Sequence, residues 1–195
     1  MSIKYLPSVL DLDMRGYPKV KTILFDIDNT LIHPKKRYPT IEVIQFVKQL
    51  ISDGYEVFLF SNNTHNRIVC GAISFGCKYF ESQHKPLAGD LKRYLKYNQR
   101  KPEEVLLIGD QVFTDIWCGK KAKVNLILVE QMTKDEPFWV KWKRGLELPF
   151  KAYIINHSSK WDRNVSLFYL FVKIVVKCKR YYILTIRKET KKYEN

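Results

Sequence analysis

Short apolar runs alternate along the chain with stretches whose apolar residues recur every three or four positions. Val20, Thr22, Ile23, Leu24 and Phe25 make one run, and Val57, Phe58, Leu59 and Phe60 another. Val105, Leu106, Leu107 and Ile108 make a third, and residues 124–129 a fourth. Runs of this length without polar interruption predict strands buried on both faces. Lys78, Tyr79 and Phe80 form a weaker segment suited to a sheet edge. Ile41, Ile44, Val47, Leu50 and Ile51 share a helical face behind Thr40 as cap, with Gly54 as the stop. Further helices are predicted over 65–75, ended by Gly76, over 87–97, with Lys92, Arg93 and Lys96 outward, and from Thr114 and Asp115 onward. This alternation predicts an α/β fold: a parallel sheet of about five strands, helices on both faces and right-handed crossovers.

The strands end in chemistry. Asp26 and Asp28 follow the first run, Ser61 and Asn62 the second, and Asp110 and Asp115 the third. All carboxyl ends of a parallel sheet lie along one edge, so these groups converge there. Taken alone, Asp26-x-Asp28 reads equally well as a strand ending in a turn, because Asp and Asn bond their own backbone. Convergence favours a site. One carboxylate, Asp26, can attack a phosphomonoester to give an aspartyl-phosphate. Asp28, two residues on and on the same side of an extended chain, can move the protons. Several carboxylates beside a phosphate call for a hard cation, and Mg²⁺ with oxygen ligands suits them, Asp110 being the best third ligand. Ser61 and the backbone N–H groups that follow, from Asn62 on, can hold phosphate oxygens at a helix start. Lys85 can neutralise charge developing in transfer. Asn29 and Thr30 are expected to hold the Asp26 loop through side-chain-to-backbone bonds. His33, His65 and His84 flank these segments without an assigned role.

In order, Asp26-x-Asp28-Asn29-Thr30-Leu31, Ser61-Asn62-Asn63, Lys85-Pro86 and Gly109-Asp110-Gln111-x-x-Thr114-Asp115 resemble the four motifs of the haloacid dehalogenase superfamily. The wording is similar to the YqeG-type branch of subfamily IIIA, related to phosphatidylglycerophosphate phosphatases. The resemblance covers residues 5–145. It implies Asp26 as nucleophile, Asp28 as general acid/base, and Ser61, Asn62 and Lys85 on the phosphate. It further implies Mg²⁺ held by Asp26, Asp110 and the Asp28 carbonyl, with Thr30 and Asp115 in support. Only a loop and one helix separate Asp28 from Ser61, and one helix with a short strand separates Ser61 from Lys85, so no cap domain is expected. An open edge favours a bulky substrate over a free sugar phosphate, and the resemblance implies that this substrate is phosphatidylglycerophosphate, in phospholipid biosynthesis. Two other readings stay open: an RNA- or ribosome-associated module, and a capless phosphatase of another phosphorylated substrate.

Charge adds a partner to this picture. The formal net charge is +14, and residues 139–195 carry 14 Lys and Arg against four acidic residues, so +10 of it sits there. The expected division is a capless phosphatase domain over 1–150 and a basic, apolar and aromatic extension over 151–195. In that extension, charged residues break the apolar run well short of the roughly 20 residues a spanning helix needs. If helical, Lys173, Lys177, Arg180, Arg187 and Lys191 form a basic stripe beside an apolar face, which suits an anionic membrane surface. An extra hairpin or core packing explains the segment as well, and nucleic acid is not excluded as the anionic partner. Trp139 and Trp142 with Lys141, Lys143 and Arg144 make a second candidate interfacial patch, and core packing of the two tryptophans explains them equally well. Four cysteines without metal-ligand or paired spacing fit a reducing compartment. The first residues show no secretion signal, so a cytoplasmic location is expected, at the inner face of the membrane if the tail binds there.

Overall fold

The apolar runs become neighbouring strands of one sheet in the computed structural model, which describes residues 3–81, 84–133, 135 and 138–156. Strands β1 (Ile3–Leu6), β2 (Thr22–Phe25), β3 (Glu56–Ser61), β4 (Lys78–Glu81), β5 (Val105–Gly109) and β6 (Asn125–Val129) pair in the order β1-β6-β5-β2-β3-β4. Every pairing is parallel. The helices are α1 (Ile41–Ser52), α2 (His65–Phe75), α3 (Gly89–Tyr97), α4 (Trp117–Ala122) and α5 (Phe138–Asn156). Strand β2 lies inside the sheet, Phe25 facing Leu59 of β3 on one side and Ile108 of β5 on the other.

Strand side chains alternate between the two faces, and each face has its own cover. Ile23, Phe25, Leu59, Leu106, Ile108 and Ile127 pack with Val43, Val47 and Leu50 of α1 and Ile68, Ala72 and Phe75 of α2. On the other face Tyr94 of α3 stacks on Phe80 and meets Phe58 edge-on. Gly119 of α4 lies against Leu107 and Leu126 there. Each buried Leu, Ile or Phe contributes about 1.5–3 kcal/mol relative to exposure. The uniformly buried β2 and β5 are therefore held in register from both sides.

The expected α/β sheet is present, with differences that have local causes. It has a sixth strand, β1, on the edge beside β6. Of its four residues only Ile3 is fully buried, too little to register as an apolar run. Thr40 occupies the cap position of α1 but its side chain makes no capping bond. Gly76 ends α2 in a left-handed conformation, φ 69°, as glycine permits. Helix α3 starts at Gly89, after a turn through the cis Lys85–Pro86 bond. Thr114 and Asp115 lie in a π-helical turn, Val112–Ile116, that runs into α4. Between Asp28 and Ser61, and between Ser61 and Lys85, the described residues form only loops, α1, α2 and β4. No cap domain stands over the carboxyl edge among them.

Helix α5 was not anticipated, and the expected boundary between residues 150 and 151 falls inside it. The basic stripe from Lys173 to Lys191 lies outside the described residues. Among those described, no helix is long and apolar enough to cross a membrane. Lys143 and Arg144, expected at an interfacial surface, turn instead towards the carboxyl edge of the sheet, where they bond Gln111 and Asp110. Trp142 is exposed.

Candidate active site

Asp26 is the first residue after β2, and its backbone N–H donates to Ile108 O at 2.9 Å, continuing the sheet for one more rung. The chain then turns sharply. Asn29 takes a left-handed conformation, φ 61°, and its N–H bonds Ile32 O at 2.9 Å, so the Asp28-Asn29 pair serves as the corner. Asn29 Oδ1 accepts from Thr133 N at 3.2 Å, which ties the corner to the chain beyond β6. Thr30 departs from expectation: its buried hydroxyl has no hydrogen-bond partner among the described residues, and it is Asn29 that fastens the loop in the anticipated way.

The sheet edge brings Asp26, Asp110 and Asp115 together, one carboxylate oxygen of each lying within 4.8 Å of the others. Lys85, fully buried, answers two of them: its Nζ lies 3.1 Å from Asp26 Oδ1 and 2.9 Å from Asp115 Oδ1. It also donates to the carbonyl of Phe60. Those three bonds use the donor hydrogens of the ammonium, so Lys85 is spent on the protein's own acceptors. Asn62 brackets the Lys85 backbone, its Nδ2 donating to Lys85 O at 3.2 Å and its Oδ1 accepting from Lys85 N at 3.3 Å. Ser61 is buried at the end of β3.

Asp28 points elsewhere. Its Oδ1 accepts from Arg67 Nε at 2.8 Å and Nη2 at 2.5 Å, and its Oδ2 accepts from Asn63 Nδ2. Arg67 also donates to Lys36 O at 2.6 Å and His33 O at 3.3 Å, pinning the 33–36 loop. Arg67 is a site residue that the strand-end argument missed. A cation in the first turn of α2 opposes the helix dipole, and that mismatch signals a nearby anion.

The Asp110 loop is held from α5. Arg144 pairs with Asp110 Oδ2 and reaches Asp110 O at 3.3 Å. Lys143 Nζ bonds Gln111 Oε1 at 2.5 Å, and the buried Glu147 accepts from Phe113 N at 2.9 Å. Asp115 Oδ2 accepts from Gln111 N at 3.2 Å. Leu146, Phe150 and Ile154 at intervals of four were the readable trace of this helix. His84, beside Lys85, is exposed and bonds Asp90 at 3.1 Å.

Electrostatics follow from burial. Burial pushes the Asp26 carboxyl up to about 6, with Lys85 opposing and the charges of Asp115 and Asp28 adding. Burial holds Asp110 well above the usual carboxylate range despite Arg144, with Asp26 and Asp115 adding to the rise. For Lys85, burial acts to lower its pKa, and the facing carboxylates Asp115 and Asp26 outweigh it, so it is raised. Asp110 Oδ1 is buried without a hydrogen-bond partner among the described residues. A buried, unpartnered carboxylate oxygen among two further carboxylates fits the all-oxygen donor set of a hard divalent cation.

A family model described as haloacid dehalogenase-like hydrolase matches residues 33–129, a span that includes Ser61, Lys85, Asp110 and Asp115 and begins after Asp28. The chain carries a haloacid dehalogenase-like hydrolase domain. It is 27% identical over 128 residues to the probable phosphatase YqeG of Bacillus subtilis, covering 66% of this chain and 74% of that protein. It is 29% identical over 140 residues to the chloroplastic/mitochondrial phosphatidylglycerophosphate phosphatase 1 of Arabidopsis thaliana, covering 66% of this chain and 40% of that protein. Among solved structures, an uncharacterized protein from Listeria monocytogenes superposes with a TM-score of 0.49 at 17% identity, covering 68% of this chain and 99% of that one. A putative hydrolase of the family from Streptomyces avermitilis gives 0.49 at 16%, covering 70% and 83%. The matched span is that of a haloacid dehalogenase-like hydrolase, and the Bacillus subtilis and Arabidopsis thaliana relatives are both named as phosphatases.

Proposed function

We propose that the protein is a Mg²⁺-dependent phosphomonoester hydrolase that works through an aspartyl-phosphate on Asp26, with phosphatidylglycerophosphate as its substrate. The observation that carries the reaction class is the meeting of Asp26, Asp110 and Asp115 within 4.8 Å at the carboxyl edge. The 29% identity to a phosphatidylglycerophosphate phosphatase supports the substrate. So does an edge with no cap domain among the described residues, which admits a phosphate displayed on a large body.

In this reading an Asp26 carboxylate oxygen attacks phosphorus in line with the ester oxygen, the P–O ester bond breaks, and Asp28 gives its proton to the leaving alkoxide. Asp28 then takes a proton from water, whose oxygen attacks the phosphorus of the aspartyl-phosphate and frees inorganic phosphate and Asp26. To act, Asp28 trades its bonds from Arg67 and Asn63 for the leaving oxygen. Ser61 and the N–H groups at the start of α2 hold phosphate oxygens. Lys85 keeps Asp26 oriented and offsets the anionic charge that gathers around it. Asp26, Asp110 and the Asp28 carbonyl would hold Mg²⁺, which when bound neutralises the phosphoryl oxygens against these carboxylates.

A phosphate-release screen tests both levels. Phosphatidylglycerophosphate in mixed micelles is compared with phosphatidate, sugar phosphates, nucleotides and phosphopeptides, each with Mg²⁺ and with EDTA. Release from phosphatidylglycerophosphate with Mg²⁺ alone is expected. Preference for another phosphomonoester overturns the substrate, and undiminished release in EDTA overturns the metal requirement.

A further inference from the structure

Asp110 has two carboxylate oxygens with opposite surroundings. Oδ2 is taken by Arg144, whose second nitrogen reaches the carbonyl of the same residue at 3.3 Å. Oδ1, equally buried, has no hydrogen-bond partner among the described residues and belongs to the carboxylate that meets Asp26 and Asp115. The side chain of Asp110 is 0% exposed and that of Arg144 13%, so water competes little for either. Arg144 comes from α5, beyond the span that matches the family model. Its neighbours fix its placement: Glu147, one turn on, accepts from Phe113 N at 2.9 Å, and Lys143 bonds Gln111 at 2.5 Å.

We propose that Arg144 is a positioning residue for the cation site: its planar fork grips the Oδ2 and carbonyl oxygen of Asp110 together and so turns Oδ1 towards the shared carboxylate cluster. The proposal rests on the reading of that cluster as a divalent-cation site. Two effects of a nearby guanidinium compete. Its charge alone repels an incoming cation, and its removal on that ground tightens binding. Its hydrogen bonds fix the ligand's rotamer, and partners that orient metal-binding side chains are worth about 10–100-fold in metal affinity. Orientation wins here because, among the described residues, Asp110 has no other hydrogen-bonding partner for its carboxylate, and because Arg144 holds two atoms of one residue, which fixes direction as well as distance. A lysine supplies the charge from a single nitrogen without the fork.

The test is calorimetric titration of the full chain with MgCl₂, and separately with MnCl₂, for wild type, Arg144→Met and Arg144→Lys, together with the rise in melting temperature each ion produces. The expected result is tenfold or greater weakening of both ions in Arg144→Met, a smaller ion-induced melting shift, and incomplete recovery in Arg144→Lys. Unchanged or tighter binding in Arg144→Met overturns the proposal, as does full recovery by lysine, which would make the role one of charge. If Arg144→Met does not fold, Arg144→Lys decides alone: wild-type affinity overturns the proposal and weakened affinity supports it. A wild-type chain that binds neither ion overturns the cation reading as well, and so separates that failure from this one.

Discussion

Lys85 Nζ lies 3.1 Å from Asp26 Oδ1 across 59 residues of sequence, and the lysine side chain is 1% exposed. The same nitrogen is 2.9 Å from Asp115. Replacing it with an apolar side chain leaves two buried carboxylates facing each other. Lys85→Met is expected to cost about 3–5 kcal/mol of stability in EDTA, as for other broken buried pairs. Adding Asp115→Asn should recover part of that loss, and urea denaturation of the two variants reads it. No recovery in the double variant would show that the lysine stabilises by packing alone.

Asp26 also sets a pH dependence. Burial raises its carboxyl from 3.8 to about 6, so the folded chain holds the proton more tightly than the unfolded one. That contribution is full below about pH 4 and is lost as pH rises through about 6. Asp110 and Glu147, raised by burial too, act in the same direction. In EDTA the protein should melt lower at pH 7 than at pH 5, and Asp26→Asn should narrow that gap. Equal gaps in wild type and variant would mean that Asp26 does not change charge between those values.

The two strand-end aspartates should separate in kinetics. Asp26→Asn removes the proposed nucleophile and should cut turnover by at least ~10³-fold, the scale seen when one member of a catalytic set is lost. The carboxylate of Asp28 bonds Arg67 and Asn63 and lies outside the three-carboxylate cluster. Asp28→Asn should therefore slow turnover while leaving Mg²⁺ affinity within about twofold, since in the proposed site Asp28 would offer the ion only its backbone carbonyl. Single-turnover rates beside calorimetric titration measure both, and equal losses of metal affinity in the two variants would end this division of roles.

Two buried glycines offer a structural contrast. A Cβ on Gly109 would overlap the Asp115 side chain, whereas one on Gly119 would overlap Leu126. Each Gly→Ala change should cost about 1–3 kcal/mol through overpacking. Only Gly109→Ala should also reduce activity in folded protein at low temperature, because it displaces a site carboxylate. Matching activity losses in the two variants would tie the effect to stability instead.

Much of this architecture was legible, and the gaps have identifiable origins. β2, β3, β5 and β6 are covered on both faces, so burial wrote them as apolar runs ending in Asp26, Ser61 and Asp110. Edge strand β1 buries one residue fully and left no such trace. Helix α5 hides for another reason: its inward face carries Lys143, Arg144 and Glu147, polar residues that serve the Asp110 loop and read as solvent-facing. Convergence of the strand ends followed from parallel topology, but pairing did not. That Asp28 turns to Arg67 and Asp26 to Lys85 depends on side-chain direction beyond a sharp corner at Asn29, which spacing does not encode.

The interior position of β2 also orders events during synthesis. Its hydrogen bonds run to Glu56–Ser61 on one side and Val105–Gly109 on the other, so the strand bearing Asp26 waits for the ribosome to deliver more than half of the chain. Such long-range pairing is slow and leaves apolar edges exposed in the interval. The guanidinium that meets Asp110 is translated later still. A nascent polypeptide halted at residue 137 would contain all six described strands with three neighbouring carboxylates but not Arg144, so α5 brings a counter-charge to the cluster only after the sheet's strands have been made.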